Sequence, residues 1–152
     1  MAIRLASISD VNILYEWVNV HDNIRWKYKT TKRISWSTHI KWFHDCLKDK
    51  CCKIWIIEND SKENIGQIRI HKRDENAKID IFLLNDFRGK GHASNSLIAA
   101  MSEFSLEHRN IKFEALAHKC NISSINLFKK NGFKISKSIQ NKWYKLISSG
   151  KG

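Results

Sequence analysis

Between an apolar run and an amphipathic stretch lies Asp86-Phe87-Arg88-Gly89-Lys90-Gly91-His92-Ala93-Ser94. Two glycines let the backbone approach an anion closely, and small Ala93 leaves a first helical turn uncrowded. The unpaired N–H groups of that turn point the positive end of the helix dipole at the same place. Arg88 and Lys90 add side-chain charge. The stretch is built to cradle a phosphate, although an ordinary basic strand-to-helix turn would use the same residue types. It is neither a Walker A loop nor a dinucleotide fingerprint, since neither glycine spacing is present.

Three further groups carry chemistry. Period-two alternation puts Gln67, Arg69 and His71 on one face of a strand, which suits a substrate site or an open sheet margin. Asp80 faces away from Ile79 and Ile81 on the next strand, where a carboxylate can take a proton from an attacking amine, or simply be solvated. His39 sits among Trp36, Trp42 and Phe43, a setting for a proton carrier or for a packed histidine. No metal site is expected, because no histidine pair combines with a carboxylate at ligand spacing. Cys46, Cys51, Cys52 and Cys120 form no Cys-x-x-Cys pair and read as reduced structural thiols.

The elements that must position these groups follow from pattern and capping. A strand at 3–8 leads to a helix capped by Ser9 and carrying Val11, Leu14, Trp17 and Val18 inward. A polar, aromatic-bearing loop at 19–33 precedes a helix capped by Ser35, with Trp36, Ile40, Phe43 and Leu47 as its apolar stripe. Strands at 53–58, 64–72 and 77–84 form an antiparallel meander, followed by a helix over 91–108 and a strand at 112–117. A helix at 123–131 ended by Gly132 and a hairpin at 133–147 complete a βααβββαβαββ order. The class is α+β: one domain at 1–147 with a mixed, mostly antiparallel central sheet and helices on both faces, then a frayed tail at 148–152.

The chain has 152 residues, 27 basic and 15 acidic side chains and a formal net charge of +12, with 42% apolar residues. That size holds one core, and the apolar content excludes disorder. The positive field attracts anions and disfavours polycationic partners. Lysines are scattered along the chain, which makes nucleic acid an unlikely partner, although a binding module with a basic surface stays open as a different class. No apolar run spans a bilayer and no signal-peptide pattern opens the sequence, so a cytoplasmic, non-membrane protein is expected.

Arg88-x-x-Gly91-x-Ala93 after a strand, followed by Asn121-x-x-Ser124-x-x-x-Phe128-x-x-x-Gly132-Phe133, resembles the GNAT superfamily of acetyl-CoA-dependent N-acetyltransferases. The resemblance implies that the backbone of Ile81, Phe82 and Leu83 binds the pantetheine arm of acetyl-CoA. It places the pyrophosphate on Gly89, Lys90, Gly91, His92, Ala93 and Ser94 beside Arg88, while Asn121 holds the arm from the fifth strand and Ser124 and Phe128 join the cofactor-binding residues. Phe128 stands where many members have a tyrosine that protonates the departing thiolate, and a phenyl ring cannot donate a proton.

A narrower resemblance lies in Glu16-Trp17-Val18-Asn19, Trp26-Lys27-Tyr28, the stretch from Ile34 to Phe43 and Ile65-Gly66-Gln67-Ile68-Arg69. These segments are similar to nucleotide-sugar N-acetyltransferases of bacterial glycan pathways, of which the pseudaminic-acid branch acetylates a UDP-linked 4-amino sugar. The resemblance implies Trp26, Tyr28 and His39 as contacts to the sugar nucleotide; the strand and helix placements argued above add Gln67 and Arg69 as substrate contacts and Asp80 and His39 as candidate catalytic groups. The usual Trp-Arg-Asn reads Trp17-Val18-Asn19 here. The first expectation is a small-molecule acceptor, a UDP-amino sugar, with homodimer formation left open; a protein N-terminal acetyltransferase of the ribosomal-protein type is the second.

Overall fold

The computed structural model describes residues 2–19 and 33–148. A seven-stranded sheet has the order β1-β2-β3-β4-β5-β7-β6, formed by β1 (Ala2–Leu5), β2 (Cys52–Glu58), β3 (Asn64–Arg73), β4 (Asn76–Leu83), β5 (Lys112–His118), β6 (Lys134–Ile139) and β7 (Trp143–Ile147). Its described helices are α1 (Val11–Val18), α2 (Trp36–Lys48), α3 (His92–Glu107) and α4 (Ile122–Lys130). Every neighbouring strand pair is antiparallel except β4 and β5, which run parallel. This is the expected α+β arrangement, and no helix among the described residues is long and apolar enough to cross a membrane.

Alternation along the strands sends apolar side chains to two separate layers. On one face Leu97, Ala100 and Phe104 of α3 and Ile125 and Phe128 of α4 pack on Ile68, Ile70, Ile79, Ala115 and Ala117. On the other, Leu14 and Trp17 of α1 and Phe43 of α2 pack on Ile54, Ile56 and Phe82. Gly66 is required where β3 meets β4, because a Cβ there would lie 2.3 Å from the Phe82 carbonyl oxygen. The end of α4 is closed by Gly132 at φ +90, with Phe133 N–H donating to the Phe128 carbonyl at 3.0 Å and Gly132 N–H to Lys129 at 3.2 Å. That double bond pattern stops the helix and turns the chain into β6.

Five local readings are corrected. The first strand ends at Leu5, and exposed Ser9 is not the cap of α1. Buried Asp10 organises this turn, accepting from Ser7 N–H at 2.8 Å and from both terminal nitrogens of Arg4 at 2.9 Å. Burial acts to raise the Asp10 pKa, but the Arg4 and Ser7 hydrogen bonds outweigh it and hold the carboxyl below its ordinary value.

The buried stripe of α2 is His39, Phe43 and Cys46, whereas Trp36 and Leu47 are each 41% exposed. Either stripe satisfies helical spacing, and contact with α1 selects the one that holds His39. Cys46 and Cys52 are joined in a disulfide rather than left reduced, because a short turn returns the end of α2 to the start of β2 with Cα atoms 5.6 Å apart. Cys51 and Cys120 are free thiols. Ser148, expected in the tail, is buried; its N–H donates to the Phe113 carbonyl at 2.9 Å and its Oγ accepts from Phe113 N–H at 3.0 Å.

Candidate active site

The sheet opens where β4 and β5 part. Their pairing runs only from Asn76 and Lys112 to Lys78 and Glu114, so β4 has no partner on this edge beyond Lys78. On the β3 side, Leu84 N–H donates to the Ile65 carbonyl at 2.8 Å. Strand alternation from that bond turns the backbone groups of Ile81 and Leu83 into the gap and those of Phe82 toward β3. Of the three expected backbone contacts, two therefore face the gap. The third residue, Phe82, gives its ring to Trp17, with centroids 6.0 Å apart. Arg88 Nε donates to the Leu83 carbonyl at 2.9 Å, which fixes the loop that follows.

That loop carries Gly89 at φ +75 and Gly91 at φ +86, and no atom lies within 4 Å of where a Cβ would stand on either. Side chains at these positions would be strained and would fill the space that the backbone leaves open. The first hydrogen bond of α3 runs from Asn95 N–H to the Gly91 carbonyl at 3.1 Å, so the preceding N–H groups, through Ser94, have no helical acceptor. Across the gap Asn121 caps α4, its Oδ1 accepting from Ser124 N–H at 3.3 Å. Ile81, Leu83, Arg88, Gly89 and Ala93 line one side of a groove of about 1090 Å³, with Asn121, Ser124 and Phe128 on the other. Lys90, exposed at the loop, holds its ammonium 5.8 Å from the Phe87 ring centre, and His92 and Ser94 stand in the first turn of α3. A strand edge for an amide-bearing arm thus ends at open glycines and unpaired N–H groups suited to a diphosphate.

On the opposite face of β4 a second pocket of about 290 Å³ is lined by Leu14, Trp17, Thr38, His39, Trp42, Gln67, Arg69 and Asp80, among others. Four of the expected side chains, His39, Gln67, Arg69 and Asp80, meet here from one helix and two strands. Arg69 and Asp80 are directly opposed across the β3–β4 ladder, with Nη2 and Oδ2 3.9 Å apart. The Arg69 guanidinium also lies 5.2 Å from the centre of the Trp42 ring. His39 is 2% exposed and donates Nε2–H to the Val11 carbonyl at 3.1 Å, since a carbonyl can only accept. Burial lowers its pKa below the ordinary histidine value, and the bond to Val11 offsets only part of that shift. The expected contacts Trp26 and Tyr28 lie outside the described residues. Sequence reading missed Trp42 as a pocket wall, although its position three residues after His39 puts both on one helix face.

A strand that splays from its parallel neighbour beside a glycine-opened helix start is matched by sequence comparison. Residues 1–134 match the family model described as an acetyltransferase (GNAT) domain. The chain belongs to the GNAT acetyltransferase family. As a GNAT acetyltransferase it is an enzyme whose acetyl donor is acetyl-CoA. No curated protein matches the sequence.

Solved GNAT-like structures agree in fold. A domain from Methanocaldococcus jannaschii superposes with a TM-score of 0.83 at 21% identity, covering 96% of each chain. Spermidine N-acetyltransferase from Vibrio cholerae, in complex with CoA and spermine, gives 0.82 at 15% identity over 96% of this chain and 93% of its own. The aminoglycoside acetyltransferase AAC(6')-Ib with acetyl-CoA bound gives 0.76 at 19% identity over 97% and 92%.

Proposed function

We propose that this GNAT enzyme acetylates the amine of a nucleotide-linked amino sugar, of the UDP-4-amino-sugar type. The observation that carries this reading is the composition of the smaller pocket. Its indoles and Leu14 offer flat apolar surface, while Gln67, Thr38 and Asp80 offer hydrogen bonds, which is what an amphipathic sugar ring requires. Among the described lining residues the one carboxylate, Asp80, lies opposite Arg69, so these residues offer no uncompensated negative charge to a polycation. The pocket borders the larger groove, whose lining along β3 and β4 holds the cations Arg69, Arg73 and Lys78 interleaved with Asp49, Asp74 and Glu75. The net charge of +12 favours an acceptor that carries a diphosphate.

In this reading acetyl-CoA supplies an activated thioester. The acceptor nitrogen forms a bond to its carbonyl carbon, the carbon–sulfur bond breaks, and the proton leaving nitrogen passes to the Asp80 carboxylate directly or through water. Ile81 N–H, turned into the gap, is placed to stabilise the transient oxyanion. Gln67 and Arg69 orient the sugar, and neutral His39 offers a hydrogen-bonding edge without adding charge. Phe128 supplies no proton, so the thiolate leaves unprotonated or is protonated by water.

The deciding assay compares transfer to a UDP-linked 4-amino sugar with transfer to the same sugar unlinked and to N-terminal peptides. A diphosphate contact strengthened by charge makes the linked sugar better by at least about tenfold in kcat/KM. Equal rates on linked and free sugar would overturn the nucleotide requirement, and a preference for peptides would assign a protein acceptor instead.

A further inference from the structure

We propose that Asn131 is a positioning residue for the donor's pyrophosphate, acting through the hydroxyl of Ser94. Asn131 lies just past α4, and Ser94 is the third residue of α3. The Asn131 Nδ2 group donates to the Leu127 carbonyl at 2.8 Å and to Ser94 Oγ at 3.1 Å. Both of its hydrogens are then engaged, which fixes the orientation of the amide, because reversal would set Oδ1 against the Leu127 carbonyl oxygen. Oδ1 in turn lies 3.3 Å from Ser94 Oγ, a long distance for a hydroxyl donor.

This arrangement leaves one movable hydrogen. Ser94 Oγ accepts a hydrogen bond from Asn131 Nδ2–H and keeps its own hydrogen, which rests weakly on Oδ1 and can turn to a stronger acceptor. A phosphate oxygen at the start of α3 is such an acceptor, and a hydroxyl that already accepts one hydrogen bond donates the next more strongly. The same amide ties the end of α4 to the beginning of α3, so it also sets the distance between the two helices that flank the groove. The inference rests on the donor shared by the GNAT family and is independent of the sugar acceptor.

Calorimetric titration with CoA needs no acceptor, so its result stands apart from the substrate assay. Asn131→Ala and Ser94→Ala each weaken CoA binding by about tenfold, whereas the double variant is no weaker than either alone, because both act through one hydrogen bond. Ser94→Thr, which retains the hydroxyl, keeps most of the affinity. If Asn131→Ala fails to fold, Asn131→Asp carries the test: it keeps the shape, loses the donor and weakens binding by more than about tenfold. Unchanged affinity in the folded Asn131 variant, or multiplicative losses in the double variant, overturns the proposal.

Discussion

The two sides of β4 are built on different principles. On the gap side the groups left open are mostly main chain: the backbone of Ile81 and Leu83, Gly89 and Gly91 in left-handed conformations, and the N–H groups at the start of α3. On the opposite side nearly everything is side chain, gathered from α1, α2, β3 and β4. Backbone recognition tolerates sequence change wherever φ is satisfied, which lets very different sequences share one donor. Side-chain recognition changes with each substitution, so acceptor choice varies within one fold.

The sharpest break between the two sides is Asp80→Asn. If Asp80 receives the amine proton, this isosteric change lowers kcat by about a hundredfold to a thousandfold and leaves CoA affinity within about twofold of the parent. Steady-state rates and a CoA titration on the same preparation check both halves. A loss confined to KM would make Asp80 a binding contact rather than the proton acceptor.

Gly91→Val tests the other side. A β-branched residue at φ +86 is strained, and its side chain fills the space beside the cradle. CoA binding weakens by roughly tenfold to a hundredfold, while binding of the nucleotide-linked acceptor to the free enzyme stays unchanged. Calorimetry with each ligand separately reads the split, and equal losses for both would show that the two sides are not independent.

The same contrast explains what the sequence made legible. Gly89, Gly91 and Gly132 act within a few residues of their own positions, so spacing alone exposes them. The disulfide, the rotation of α2 and the burial of Asp10 depend on how separate elements meet. Arg4 reaches Asp10 from β1, and His39 turns inward where α1 presents the Val11 carbonyl. Gln67, Arg69 and Asp80 were legible because strand alternation is itself a local rule. Asn131 carried no such signal, since its partner Ser94 lies 37 residues away.

The smallest expected effect concerns His39, the most buried titratable group among the described residues of the smaller pocket. Burial depresses its pKa below the ordinary value of about 6.5, and the Val11 carbonyl restores only part of that shift. Tyr15, Trp36, Trp42 and Phe43 surround the ring, and Arg69 and Asp80 line the same pocket. Between the depressed pKa and 6.5, the unfolded chain binds more protons at this site than the folded one. The His39 contribution to stability is therefore fully present above about pH 6.5 and is lost as pH falls below it. Urea midpoints measured from pH 7.5 to 5.0 should decline on acidification, and His39→Gln should flatten that decline while lowering stability at neutral pH through the lost bond to Val11. His71, also depressed chiefly by burial, contributes in the same direction, so the difference between the two proteins isolates His39. An unchanged slope in the variant would mean that burial does not hold His39 neutral in the folded protein.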